Sequence, residues 1–252
     1  MQKKYLSKST FIKGVQCHKS LYLHKYHSNL SDDINAQQQA IFDRGTSVGE
    51  LAQQLFPGGV DASPKDYTQY FDSFKYTQEL IKQGVQVIYE AGFCFDNVMC
   101  FIDILVNENG RWHAYEVKSS TKVTDTYVID ASLQYYIIQQ TGLDIADISI
   151  VHINNTYIRC DALDLKKLFS SVLVTKDAIN NNNYIKNKLL KLHNVLAQNS
   201  IPNIDIGPHC TMPYDCNFMG YCWKHIPNYS VFNLSRLNKQ IKWNLYEKGF
   251  VT

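Results

Sequence analysis

Three residues have types and spacing that could do chemistry together: Asp103, Glu116 and Lys118. The run HAYEVKSS, His113 to Ser120, reads as a strand, and in a strand alternate side chains share a face. Glu116 and Lys118 therefore point one way, and Tyr115 and Val117 the other. The neighbouring run Phe101-Ile102-Asp103-Ile104-Leu105 sets one acid in an otherwise apolar strand, where an unpaired buried charge is costly. Two carboxylates converging from adjacent strands make a hard-oxygen site suited to Mg²⁺ or Mn²⁺, ions that keep several waters and bind phosphates. A lysine beside them would position a metal-activated water and offset charge building on a phosphodiester. The chemistry indicated is phosphodiester hydrolysis. Glu-x-Lys alone is a common spacing, and on a surface strand it is a solvated pair; Asp103 across a hairpin is what lifts it above that plainer reading.

These strands need elements to position them. Val85 to Tyr89, Met99 to Val106 and Trp112 to Val117 are short and rich in β-branched and aromatic residues. The last two flank Asn107-Glu108-Asn109-Gly110, a hairpin signal. Before them, Ser9 or Thr10 could cap a helix carrying Phe11, Ile12, Val15, Cys17, Leu21 and Leu23. A second helix is predicted over 36–55, ahead of the Pro57-Gly58-Gly59 breaker, and a third from about Tyr67 to Lys82. After the strands, Tyr127 to Gln140 returns to helical spacing, then Ile148 to Ile153 and Thr156 to Arg159 read as strands. Leu163 to Gln198 reads as helical, and Ile206 to Pro227 as turn-rich. The expectation is an α/β fold on a small mixed sheet, as one domain over 1–252. It has a helical part (1–84, with Cys17), a sheet core (85–160), a helical and cysteine-bearing part (161–227) and a tail (228–252).

At 252 residues, with 45% hydrophobic and 19% charged residues, the chain can bury a sizeable core. No apolar run is long enough to span a membrane, and MQKKYLSKST lacks the apolar stretch of a signal peptide, so a cytoplasmic protein with no membrane partner is expected. The net charge of +2 excludes no partner, but residues 1–27 hold six lysines (Lys3, Lys4, Lys8, Lys13, Lys19, Lys25) and no acid. That run is either a solvated helix face or a phosphate-contacting surface. Seven cysteines in a chain of this class argue for a metal or cluster rather than disulfides. Cys210, Cys216 and Cys222 fall within PHCTMPYDCNFMGYCW, and three thiols in so short an irregular segment point to a site that needs a fourth ligand. His209 is an alternative ligand, whereas Cys94, Cys100 and Cys160 read as buried small hydrophobes.

At Asp103 and Glu116-Val117-Lys118 the sequence resembles the PD-(D/E)XK nuclease superfamily, and more closely its RecB-like branch of CRISPR-associated and helicase-linked exonucleases with an iron-sulfur cluster. The resemblance runs from about residue 7 to 225 and implies a sheet core of restriction-endonuclease type. It implies Asp103 and Glu116 as metal-binding carboxylates, the Val117 carbonyl as a further ligand, and Lys118 as the catalytic lysine. Glu90 matches an acid often found on the preceding strand, with a surface strand-end glutamate as the plainer reading. The branch carries a glutamine-tyrosine motif on the following helix; here Asp130 and Gln134 share a helical face, as DNA-facing groups would, and Ile138 stands at the tyrosine position. Where the branch places a metal-ligating histidine, the chain reads Gly45-Thr46-Ser47-Val48-Gly49-Glu50, so Glu50 is the nearest candidate. The resemblance also implies Cys17 as the fourth ligand with Cys210, Cys216 and Cys222, joining N- and C-terminal segments through a 4Fe-4S cluster, with zinc as the alternative.

The reading that follows is a Mg²⁺- or Mn²⁺-dependent deoxyribonuclease acting on single-stranded DNA or DNA ends. Its alternatives are a nucleic-acid-binding module that has lost cutting, and a subunit active only with a protein partner. The last rests on Val231 to Thr252, which looks like the lead-in to something longer.

Overall fold

The structure, a computed structural model, describes residues 5–66 and 68–252, so Lys3, Lys4 and Tyr67 lie outside the described residues. The helices in chain order are α1 (Lys8–Gln16), α2 (His18–Tyr26), α3 (Ala36–Gln53), α4 (Tyr70–Lys82), α5 (Asp125–Gln140), α6 (Leu165–Leu168), α7 (Thr175–Asn180), α8 (Asn182–Ala197), α9 (Met219–Cys222) and α10 (Lys239–Glu247). The strands are β1 (Leu6–Ser7), β2 (Val60–Asp61), β3 (Val87–Phe95), β4 (Val98–Glu108), β5 (Arg111–Lys118), β6 (Ile145–Ile153) and β7 (Phe169–Leu173). Where the sequence suggests one domain, contacts group the chain into two compact units, one of 35–189 with the described part of 1–9, the other of 10–34 with 190–252.

The first unit is built on a seven-stranded sheet of order β2-β3-β4-β5-β6-β7, with β1 added on β4. Tight hairpins join β3 to β4 through Asp96-Asn97 (φ 47 and 59°) and β4 to β5 through Asn109-Gly110 (φ 54 and 86°). Both turns hold the left-handed backbone that two-residue hairpins need to match strand twist. One face of β5 follows the alternation expected: Tyr115 and Val117 pack with Val48, Leu51 and Ala52 of α3 around Ile104. Its other face presents Glu116 and Lys118 to α5.

One feature of the register creates the site. Pairing of β4 with β5 runs from Glu108↔Arg111 to Ile104↔Tyr115 and stops there. Beyond that point β5 continues in parallel with β6, from Glu116↔Ile150 to Lys118↔His152, while β4 keeps β3 on its other edge as far as Phe95↔Val98. The edge of β4 that β5 leaves is taken by β1, parallel, at Leu6↔Val98 and Ser7↔Met99. The sheet therefore forks between β4 and β5.

Several expected elements differ. The helix predicted through Cys17 is two helices, α1 and α2, because Cys17 is extended (φ −158, ψ 120°) between them. Residues 156–159 form turn and irregular backbone rather than a strand. Within the stretch expected to be helical, Phe169–Leu173 is a strand instead, paired antiparallel with β6 from Ser149↔Leu173 to Ile153↔Phe169. Cys160, expected to be buried, is exposed, whereas Cys100 is buried.

The second unit packs segments far apart in sequence. Gln16 donates from Nε2 to the carbonyls of His209 and Tyr214, each at 2.7 Å. Lys13 Nζ donates to Asn217 Oδ1 at 2.8 Å and Lys19 Nζ to the Ile204 carbonyl at 3.0 Å. The Gly220 N–H donates to the Asp32 carboxylate at 3.0 and 3.1 Å. Trp223, Phe232, Trp243 and Tyr246 make an aromatic cluster with ring centroids 4.7 to 6.1 Å apart. No helix among the described residues is long and apolar enough to cross a membrane.

Candidate active site

Asp103 and Glu116 flank the fork. Glu116 is almost wholly buried, its side chain 1% exposed, and it accepts three side-chain hydrogen bonds among the described residues. Its Oε1 accepts from Lys118 Nζ at 2.6 Å and from Lys8 Nζ at 2.7 Å, and its Oε2 accepts from Gln134 Nε2 at 2.8 Å. Burial opposes its ionisation, but the ammoniums of Lys118 and Lys8 outweigh burial and draw its pKa down to about 2. Glu116 is therefore a fixed anion. Asp103 accepts the backbone N–H of Val117 on Oδ2 at 2.6 Å, and Lys8 Nζ stands 4.0 Å from its Oδ1. Burial and the charge of Glu116 push its pKa up to about 7, against the pull of Lys8 and Lys118.

Lys118 donates to Asp130 Oδ2 at 2.6 Å as well as to Glu116, and its Nζ lies 5.2 Å from the centre of the Tyr127 ring. Burial would lower its pKa, but Glu116 and Asp130 hold it above the usual lysine range. A lysine so held stays charged and acts by electrostatics, not as a base. Glu90 lies opposite Asp103, between the pairs Tyr89↔Ile104 and Ala91↔Ile102, with a left-handed backbone (φ 52°) that is uncommon for glutamate. Burial first, then the charge of Asp103, raises its pKa to about 8.

Two expectations about this region change. Gln134 and Asp130 share a face of α5 but do not look outward: they are 0% and 5% exposed. Gln134 orients Glu116 and Asp130 orients Lys118, because the part of β5 beyond its pairing with β4 presents those side chains to α5. Glu50 stands exposed on α3, with no hydrogen bond or ion pair joining it to these acids among the described residues. Lys8 and Asp130 are the members that the spacing within strands gives no way to find. Lys8 reaches Glu116 across 108 positions. Its signal in the sequence is membership of the lysine-rich N-terminal run, and the described lysines of that run do not all lie on one free face. Lys13 and Lys19 are bonded within the second unit, and Lys8 is in the fork.

The charge balance tests whether a divalent ion fits. Glu90, Asp103, Glu116 and Asp130 face Lys8 and Lys118, leaving a double negative excess if all ionise. Burial first, and this excess after it, raises the pKa values of Glu90 and Asp103. A divalent cation would relieve the excess. Among the described residues no group of three or more His, Cys, Asp or Glu side chains is placed to hold a metal ion. Mg²⁺, however, is commonly held by one or two carboxylates with water and substrate phosphate completing its shell. The donor set of Asp103 and Glu116 fits an ion of that kind.

The second unit holds a separate candidate centre. Cys17, Cys210, Cys216 and Cys222 all line one pocket, together with Phe218 and Met219. Cys210 Sγ accepts the Gly207 N–H at 3.5 Å, and Cys17 is approached by the backbone N–H groups of Lys19 and Ser20. Burial raises the pKa of Cys17 and Cys210, and of Cys222 to about 11. The four thiols thus share one pocket, with N–H donors aimed at two sulfurs, but here too no three His, Cys, Asp or Glu side chains among the described residues are placed to hold a metal ion. His209 lines the same pocket.

No family model matches the chain, and no curated protein does. Among solved structures it is similar to the crystal structure of SSO0001, at 9% identity over 88% of this chain and 87% of that one, with a TM-score of 0.43. It is also similar to a phage-related exonuclease from Haemophilus somnus 129PT, at 14% identity over 78% of this chain and 96% of that one, with a TM-score of 0.29. Overlaps of this size carry no argument about activity, which rests on the residues themselves.

Proposed function

We propose that the chain is a Mg²⁺- or Mn²⁺-dependent deoxyribonuclease of PD-(D/E)XK type, acting on single-stranded DNA or free DNA ends. The observation that carries the reading is the meeting of Asp103, Glu116 and Lys118 at one fork in the sheet. Asp103 and Glu116 would hold the ion, with the Val117 carbonyl as a further ligand. A bound ion would supply an activated water and neutralise charge on the scissile phosphate. The chain's own part is positional. The Val117 N–H fixes Asp103, Gln134 fixes Glu116, and Asp130 and Tyr127 hold the Lys118 ammonium where charge would build on the phosphate. In the second unit Cys17, Cys210, Cys216 and Cys222 would hold a 4Fe-4S cluster, or zinc, as a structural clamp.

The test is incubation of the purified chain with end-labelled single-stranded DNA and Mn²⁺. Cleavage is expected from the natural protein and is expected to fall at least about a hundredfold in Lys118→Ala, the scale of losing one preorganised charge at a transition state. No cleavage by the natural protein, or equal cleavage by the variant, removes the proposal. One observation favours a second reading, a nucleic-acid-binding module without turnover: a lysine ammonium already bridges toward both carboxylates. Tight, salt-sensitive and metal-independent DNA binding without cleavage would select it.

A further inference from the structure

We propose that Lys8 is the resident cation of the Asp103–Glu116 fork and that a divalent ion binds there only by displacing it. This rests on the metal-site reading of the fork. Of the two lysines at the site, only Lys8 reaches toward both acids that would hold an ion: its Nζ is 2.7 Å from Glu116 Oε1 and 4.0 Å from Asp103 Oδ1. Lys118 is turned instead to Glu116 and Asp130. The fold delivers Lys8 there by construction. Residues 6 and 7 occupy the edge of β4 that β5 abandons, Leu6 is completely buried, and its N–H donates to the Asn97 carbonyl at 2.9 Å. The next residue in the chain is Lys8, which enters the fork from that edge.

An ammonium and a hydrated divalent ion cannot share this space. Glu116 Oε1 already accepts two ammoniums, and a metal ion taking that oxygen would meet Lys8 head on. Like charges at such a separation repel strongly in a partly dehydrated site. The Lys8 side chain is 26% exposed, against 17% for Lys118, so it has a route out while Leu6 and Ser7 stay paired with β4. The fork is thus a two-state cation site: lysine in, ion out, or the reverse. Lys8 acts through the ion and is a positioning residue.

The experiment measures Mn²⁺ affinity of the full chain by titration calorimetry, alongside Lys8→Met and Lys8→Gln, with thermal melts to show that each is folded. Removing the competitor is expected to tighten Mn²⁺ binding at least about tenfold, the fold-change equivalent to one charged hydrogen bond. Equal or weaker binding by the variants overturns the displacement and leaves the metal-site reading standing. No Mn²⁺ binding by any of the proteins overturns both. A measurement on the natural chain alone serves if neither variant folds: acetylation of Lys8 by a water-soluble amine reagent, followed by mass spectrometry. Mn²⁺ should speed modification of Lys8 several-fold relative to the metal-free protein, as the ammonium leaves its carboxylates. Unchanged or slower modification overturns the proposal.

Discussion

Glu90 and Asp103 face one another across β3 and β4, and in the absence of an ion both keep their protons to unusually high pH, with pKa values of about 8 and about 7. In the unfolded chain both would ionise near 4. Between those limits the folded state binds more protons than the unfolded one, so stability falls as pH rises from about 4 to about 8. Glu116 has the opposite sign. Its pKa near 2 adds stability above the unfolded value that is lost only as pH drops toward 2. Metal-free protein is therefore expected to melt lower at pH 8 than at pH 5.5, and Mn²⁺ to recover most of the difference at pH 8. Asp103→Asn should abolish the Mn²⁺ effect and stabilise the metal-free protein at pH 8, by on the order of 2 kcal/mol. Melting curves with and without Mn²⁺ check this; a flat profile over that range would refute the charge excess. At this scale Asp103, Glu116 and Lys118 were legible because strand alternation fixes which side chains share a face. Gln134 is legible in its position on α5 but not in its direction, since helical spacing says which residues align and not what they look at.

Elements were legible where local signals and tertiary structure agree. The hairpin at Asn109-Gly110 is an example, as is α3, whose start is capped by Asn35 accepting from the Gln38 N–H. They were illegible where pairing overrides pattern. Leu165 to Leu173 offers leucines at helical spacing, yet the chain leaves α6 at Phe169 because the edge of β6 accepts Phe169–Leu173 as a strand. The two residues of β1 show no period at all and exist only because the fork leaves an edge of β4 free. That short strand should matter out of proportion to its length. Leu6 is fully buried, so Leu6→Ala is expected to cost about 2–5 kcal/mol, read from chemical denaturation. A loss below about 1 kcal/mol, typical of surface substitutions, would show that β1 is not a fixed part of the sheet.

On the scale of the whole molecule, the expectation of one domain came from a continuous run of plausible elements, and nothing local reveals that 10–34 belongs with 190–252. Only the cysteines hinted at that grouping, through the resemblance that pairs Cys17 with the distant three. In the second unit Phe11, Leu21, Leu23 and Phe218 are fully buried, and Ile206, Cys210 and Trp243 form a cluster with Trp223, Phe232 and Tyr246 packed on it. Cys210 belongs both to that cluster and to the lining of the four-thiol pocket, so a group held by the thiols would be tied to the aromatic packing. Two of the three tryptophans, Trp223 and Trp243, lie in this unit, so its unfolding can be followed by fluorescence. Chain purified without oxygen is expected to be brown, to absorb broadly in the visible and to contain iron and sulfide. Cys17→Ser should bleach it and lower the stability of the second unit by several kcal/mol, on the scale of losing a structural metal. A colourless preparation with one equivalent of zinc would replace iron by zinc in this account. A variant as stable as the natural chain would remove the clamp altogether, because four thiols lining one pocket would then be holding nothing that the fold needs.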